Sequence, residues 1–174
     1  KIEDASLKFE FKPQPTYSAF INNGMYYSGI QNFNIKNLKS GSDESSYPSA
    51  IIWDYTGAND NSIYAAAWNV NAPNGNLYQY SNGQLTDITQ KANISSTGLW
   101  CLYYDLPTKQ LWVGSIDKGI YIIDLSGKIN FYNSSFYDLK QFHVDCLFKD
   151  SENKMWIGGG DHIIIQYPNL TFDV

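Results

Sequence analysis

Apolar runs of four to seven residues, bounded by Asn, Gly, Asp and Ser, recur along the whole chain, and no segment keeps a helical period. The pattern predicts strands near 7–11, 18–22, 25–29, 32–36, 49–54, 62–68, 77–81, 85–89, 99–105, 110–115, 119–125, 129–133, 144–150, 154–159, 162–167 and 170–174. "NNG" at 22–24, "NG" at 82–83 and "SG" at 126–127 supply the positive-φ residues that tight hairpins need. The polar stretches 37–48 and 69–76 read as longer connections. Within 99–105, Leu99, Cys101 and Tyr103 fall on one face and Trp100, Leu102 and Tyr104 on the other. Both faces are apolar, which predicts a strand covered on both sides.

The chain also repeats itself. "QLWVGS" at 110–115 returns as "KMWIGG" at 154–159, and the flanks agree beyond the Trp. Leu99, Cys101, Leu102, Tyr103 and Asp105 fall on Val144, Cys146, Leu147, Phe148 and Asp150, and Trp112 and Gly114 on Trp156 and Gly158. A weaker copy sets Ala50, Ile52 and Asp54 on Cys101, Tyr103 and Asp105, with Ile63 and Tyr64 in the place of Leu111 and Trp112. A fainter one offers Met25, Tyr26 and Gly29. A period of roughly 40 to 50 residues with several short strands each is the signature of β-propeller blades. The expectation is an all-β chain of about four blades, each of four antiparallel strands, near 17–40, 49–89, 99–133 and 144–174. They lie in one domain over residues 1–174, since no linker with a shift of composition divides the chain.

The repeated residues are expected to be structural. Asp54, Asp105 and Asp150 stand where a strand enters a turn and can accept the next amides. Trp112 and Trp156 are expected to bury against the adjacent blade. Gly114 and Gly158 would allow close backbone approach. His143 and Cys146 form an H-x-x-C pair, but strand residues three apart point to opposite faces. His143 and Asp145 share a face and are too few for zinc, so no metal is expected. Acids are too scattered to nominate a catalytic pair, and no catalytic residue is assigned. A ligand site, if present, is expected at the interrupted weaker repeat, the third of the copies, where Trp68 precedes Asn69, Asn71 and Asn74 and where an aromatic face and amides suit sugar rings and hydroxyls.

Composition narrows the partners. The 174 residues are 16% aromatic and carry a net charge of −5, and every one of the 12 basic residues is Lys. Without Arg the bidentate fork for guanine edges and phosphates is missing, which argues against nucleic acid. No apolar run approaches the roughly 18 residues that span a bilayer. Lys1 in place of Met suggests a mature or excised piece. Cys101 and Cys146 occupy one repeat position, so they are expected to be small core residues rather than a disulfide. The sequons at Asn93, Asn133 and Asn169 carry little weight.

The order of apolar strand, Asp, turn, Leu/Met-Trp-Val/Ile-Gly and apolar strand resembles the two-component regulator propeller repeat of bacterial sensor histidine kinases and hybrid two-component systems, notably those of gut Bacteroides. The match is good over 99–167, fair over 49–82 and poor before 40. The chain departs from the family's Gly-Thr after Trp-Ile, reading Gly114-Ser115 and Gly158-Gly159. The resemblance implies a periplasmic sensing or scaffold module, without enzymatic activity or cofactor, that responds to glycan breakdown products and belongs to a larger, seven-bladed propeller. It also implies that the membrane is reached only through other parts of the receptor. Half a ring would leave apolar blade faces open, so self-association through them is expected. Rival readings are a carbohydrate-active propeller enzyme and a pure protein scaffold. "KDSENKMW" has its Asp six residues before Trp156, one more than a sialidase Asp box, and the chain lacks the arginines that hold a sialate. "DYTG" at 54–57 is a single echo of quinone-dependent dehydrogenase turns.

Overall fold

The computed structural model describes residues 18–29, 32–48, 51–58, 61–68, 75–125, 143–160, 162–168 and 172–173. It is all-β over these residues, in four antiparallel sheets whose strands follow chain order. The first sheet holds β1 (Ser18–Asn22), β2 (Met25–Gly29), β3 (Asn32–Asn37) and β4 (Asp43–Pro48). The second holds β5 (Ile51–Gly57), β6 (Ile63–Trp68), β7 (Asn76–Ser81) and β8 (Gln84–Asp87). The third holds β9 (Leu99–Asp105), β10 (Gln110–Ser115) and β11 (Ile120–Asp124), and the fourth holds β12 (Cys146–Lys149), β13 (Met155–Gly159), β14 (His162–Gln166) and β15 (Phe172–Asp173). The expected strands 7–11 and 129–133, the turn at 126–127 and the residues Asn133 and Asn169 lie outside the described residues.

Two hairpins carry the turn chemistry read from the sequence. Asn23 and Gly24 have φ of 49° and 74°, and Asn82 and Gly83 have 50° and 79°. Both central residues of a two-residue hairpin then lie in the left-handed region, which matches the twist of the flanking strands. The stretch expected as a polar connection at 37–48 departs from expectation, because its second half is β4. "DESSYP" has no apolar alternation and pairs on one side only, with β3. A charged, proline-ended sequence suits the edge of a sheet, where a free side must not recruit another strand.

Strand β1 packs near β5, β5 near β9 and β9 near β12, so the leading strands lie in sequence along one side of the molecule. Each junction is a layer of apolar side chains. Between sheets one and two lie Tyr27, Phe33, Ile35, Ile52, Ile63 and Ala65. Tyr64, Ala66, Leu99, Leu111 and Val113 fill the second junction, and Cys101, Trp112, Val144, Met155 and Ile157 the third. Residues of β6 therefore alternate between two neighbours, with Ile63, Ala65 and Ala67 facing back and Tyr64 and Ala66 facing forward. This two-sided burial is what the unbroken apolar strands demanded.

The registers correct the repeat alignment in its weaker copies. Tyr64 opposes Thr56 as Trp112 opposes Tyr103 and Trp156 opposes Phe148, so Tyr64 holds the Trp position as expected. Asp54, however, opposes Ala66, which places it with Cys101 and Cys146 opposite Gly114 and Gly158. Ala58 takes the place of Asp105 and Asp150: its amide bonds Ser62 O as that of Asp150 bonds Lys154 O. Matching one Asp to another slid the first strand by four residues. In the first sheet Tyr27, rather than Tyr26, faces the next sheet, because a two-residue turn replaces the longer one.

Candidate functional site

Asp54 and Trp53 together mark the most unusual part of the leading strands. The β5–β6 register slips between Ile52 and Asp54, and the β9–β10 register slips so that Ser115 opposes Leu99 and Gly114 opposes Cys101. Each slip is a β-bulge, and the residues passed over are Trp53 and Trp100. A bulge turns a side chain out of the strand's alternation. The two indoles stack, with centroids 4.1 Å apart and planes at 17°. On the far side Trp100 meets the His143 ring at 5.3 Å and 89°. His143 Nε2 lies 3.0 Å from Asp145 Oδ1, and both side chains are about half exposed. A row of indole, indole, imidazole and carboxylate thus crosses the ends of three sheets.

Asp54 anchors this row from beneath. Its Oδ1 accepts the Tyr55 amide at 2.8 Å and its Oδ2 accepts the Leu102 amide of the next sheet at 2.7 Å. Burial raises its carboxyl above the usual range, and the two amide bonds oppose that rise. Burial, with Asp54 close by, also pushes the Cys101 thiol upward, so it stays a neutral core group. Cys101 Sγ points to Val144 O at 3.7 Å. Cys101 is buried, whereas Cys146 at the equivalent place is exposed, and both are free thiols.

The remaining acids of the repeat hold turns. Asp150 accepts the amides of Glu152 and Lys154, each at 2.9 Å, and the Trp156 indole N–H at 2.8 Å. That indole bond is the main reason its carboxyl lies below the usual range. Asp105 is buried and accepts Thr108 Oγ1 at 2.6 Å and Lys149 Nζ of the next sheet at 2.8 Å. The Trp112 indole N–H is buried without a hydrogen-bond partner. Asp87 caps Thr89 through its amide and hydroxyl, and Asp117 ties Ser96 and Thr97. Among the described residues no three His, Cys, Asp or Glu side chains gather as a metal site, and no helix is long and apolar enough to cross a membrane.

Of the residues singled out for ligand binding, Trp68 closes β6, half-buried opposite Ile51, and a Cβ on Gly98 would lie 3.3 Å from its Cδ1. Trp68 therefore stands at the same end of the sheets as Trp100. Asn69, Asn71 and Asn74 lie outside the described residues. From the sequence, Trp53 is not singled out, Trp100 reads as an ordinary strand residue, and His143 with Asp145 is weighed only as a metal pair. The one signal for them was an indole just before the Asp54/Cys101 position in two repeats.

No family model and no curated protein matches the chain. Solved structures do. Two crystal structures of the extracellular domain of BT4673 from B. thetaiotaomicron, described in one case as a one-component and in the other as a hybrid two-component system, align with TM-scores of 0.72 and 0.71. Each is 18% identical and matches 91% of this chain and 22% of its own. The extracellular domain of BT3049 from B. thetaiotaomicron, described as a hybrid two-component system, aligns at 0.65 with 19% identity, over 86% of this chain and 20% of its own. The chain therefore spans about a fifth of the structures it matches, and it shares their fold.

Proposed function

We propose that this chain is a sensing and scaffold unit of a two-component signalling receptor, placed on the periplasmic side, with no catalysis of its own, and responding to products of glycan breakdown. The observation that carries the reading is the alignment of four blade-like sheets, over nine-tenths of the chain, with an extracellular domain described in one structure as part of a one-component and in the other as part of a hybrid two-component system. Two features support it. Asp54, Asp87, Asp105, Asp117 and Asp150 are each committed to backbone or side-chain bonds within turns and junctions, which gives these five acids structural work. Half-buried indoles and an exposed imidazole–carboxylate pair collect at one end of the sheets, where apolar sugar faces and hydroxyls find matching chemistry.

A second reading is favoured by the last sheet, where Phe148, Trp156 and Ile163 are 61%, 36% and 59% exposed. Such a face suits packing against another sheet, including one from a second copy, and would make the chain a protein scaffold. Thermal melting with a panel of neutral and acidic oligosaccharides, combined with an assay for newly released reducing ends, tests the proposal. A rise in melting temperature with one glycan class and no new reducing ends is expected. Released reducing ends would replace the sensor reading with the enzyme, and silence across the panel together with concentration-dependent sedimentation would leave the scaffold.

A further inference from the structure

We infer that the row formed by Trp53, Trp100, His143 and Asp145 is the contact surface for a neutral oligosaccharide. This rests on the sensor reading and gives that reading a place and a ligand class. The geometry is built twice over. The same bulge at the same register takes Trp53 and Trp100 out of the apolar alternation of β5 and β9, and bulges re-aim side chains beside functional sites. Asp54 fixes the spacing of the two strands by accepting an amide from each. The stacked indoles each cover one face of the other and are half-buried, so part of the pair remains open to solvent. An indole pair offers a broad apolar surface at low conformational cost, the partner that the C–H face of a pyranose needs.

The far end of the row supplies polarity. Asp145, 48% exposed, presents carboxylate oxygen that ligand hydroxyls can donate to, while His143 Nε2 is buried 3.0 Å from Asp145 Oδ1 and its ring packs against Trp100. Packing of the sheets does not need the exposed Asp145 side chain, since Val144 beside it fills the junction. Charge selects the class. Within the row itself the acidic group is the Asp145 carboxylate, and the chain has no Arg; among the described lysines, Lys149 and Lys154 are bound to Asp105 and Glu152. A uronate or sulfate would meet like charge with no fork to receive it, whereas a neutral sugar would not.

The test is calorimetry with tryptophan emission, titrating the protein with cello-, manno- and xylo-oligosaccharides and, at equal length, with oligogalacturonate and heparin fragments. A neutral series should bind and shift the emission, and the acidic series should not. Asp145→Ala should weaken binding by about tenfold, roughly 1.4 kcal/mol, with the melting temperature unchanged. Trp100→Phe, which keeps a ring in the stack, should weaken it less than Trp100→Ala. Neutral sugars bound equally by wild type and all these variants would remove the row and leave the sensor reading standing. Binding of the acidic series alone would overturn the ligand class while preserving a glycan sensor. No binding by any saccharide would sink the site together with the glycan part of the sensor reading.

Discussion

Trp112 and Trp156 hold one position in consecutive sheets and meet opposite surroundings. Trp112 is 5% exposed because the fourth sheet lies over it, and Tyr64 one sheet earlier is 2% exposed beneath the third. Trp156 faces the same way and is 36% exposed. Their polar ends differ in the reverse sense: the Trp156 indole N–H reaches Asp150, whereas that of Trp112 is buried without a partner and Asp105 instead binds Lys149 of the covering sheet. Covering a sheet thus exchanges a turn-closing hydrogen bond for apolar burial and a buried ion pair. The same residue does two jobs, and which one it does is decided by its neighbour.

The widest separation should come from deleting the rings. Trp112→Ala is expected to cost about 4 kcal/mol, in the range for a buried large aromatic, and Trp156→Ala about 1 to 2 kcal/mol. Urea midpoints of the two variants measure it, and equal costs would mean that Trp156 is covered in solution. Next comes the ion pair across that junction. Lys149→Met should cost about 3 kcal/mol by leaving Asp105 buried with Thr108 as its remaining side-chain partner, and the double variant Lys149→Met with Asp105→Asn should recover part of the loss. A smaller contrast concerns the glycines. A Cβ on Gly114 would fall against the Cys101 sulfur and 2.7 Å from Val144 Cγ1, while one on Gly158 meets the sulfur of exposed Cys146 and nothing else. Gly114→Ala should therefore cost about 2 kcal/mol and Gly158→Ala below about 1 kcal/mol.

The smallest effect lies in pH. The raised carboxyl of Asp54 contributes stability that is fully present below the ordinary carboxylate range and is lost as pH rises through its folded value. The lowered carboxyl of Asp150 does the opposite, contributing above the ordinary range and losing that contribution as pH falls through its folded value. Melting temperature followed from about pH 3 to 6 should therefore change slope in opposite directions in Asp54→Asn and Asp150→Asn. Parallel profiles would show that the two acids share one environment.

The repeat was legible because junctions reuse the same side chains: a large ring, a gap where Gly29 or Gly114 lacks a Cβ, and a branched residue, Ile52 or Val144, to fill it. Three things escaped. Strand β4 escaped because edge strands signal through charge and proline rather than through alternation. The four-residue slip at Asp54 arose because an Asp entering a turn and an Asp bonding two leading strands look alike in sequence. The indole row escaped because a bulge leaves no letter behind. "IIWDY" and "LWCLY" read as strands buried on both faces, and only the ladder shows that one residue in each has been squeezed out of register. Trp68 was found for its place beside a polar connection, and it stands at the same end as the row without being part of it.

The main contacts between sheets join only neighbours in the chain, among the described residues. Such a molecule behaves like a row of coupled beads, whose stability is a sum of unit terms and nearest-neighbour couplings. Nothing in one junction refers to a sheet two places away, so adding or deleting a unit would alter one coupling and leave the others as they are. Lengthening by duplication is then a nearly neutral step. Divergence would accumulate most freely where no coupling reads it, at the bulged ends of the leading strands.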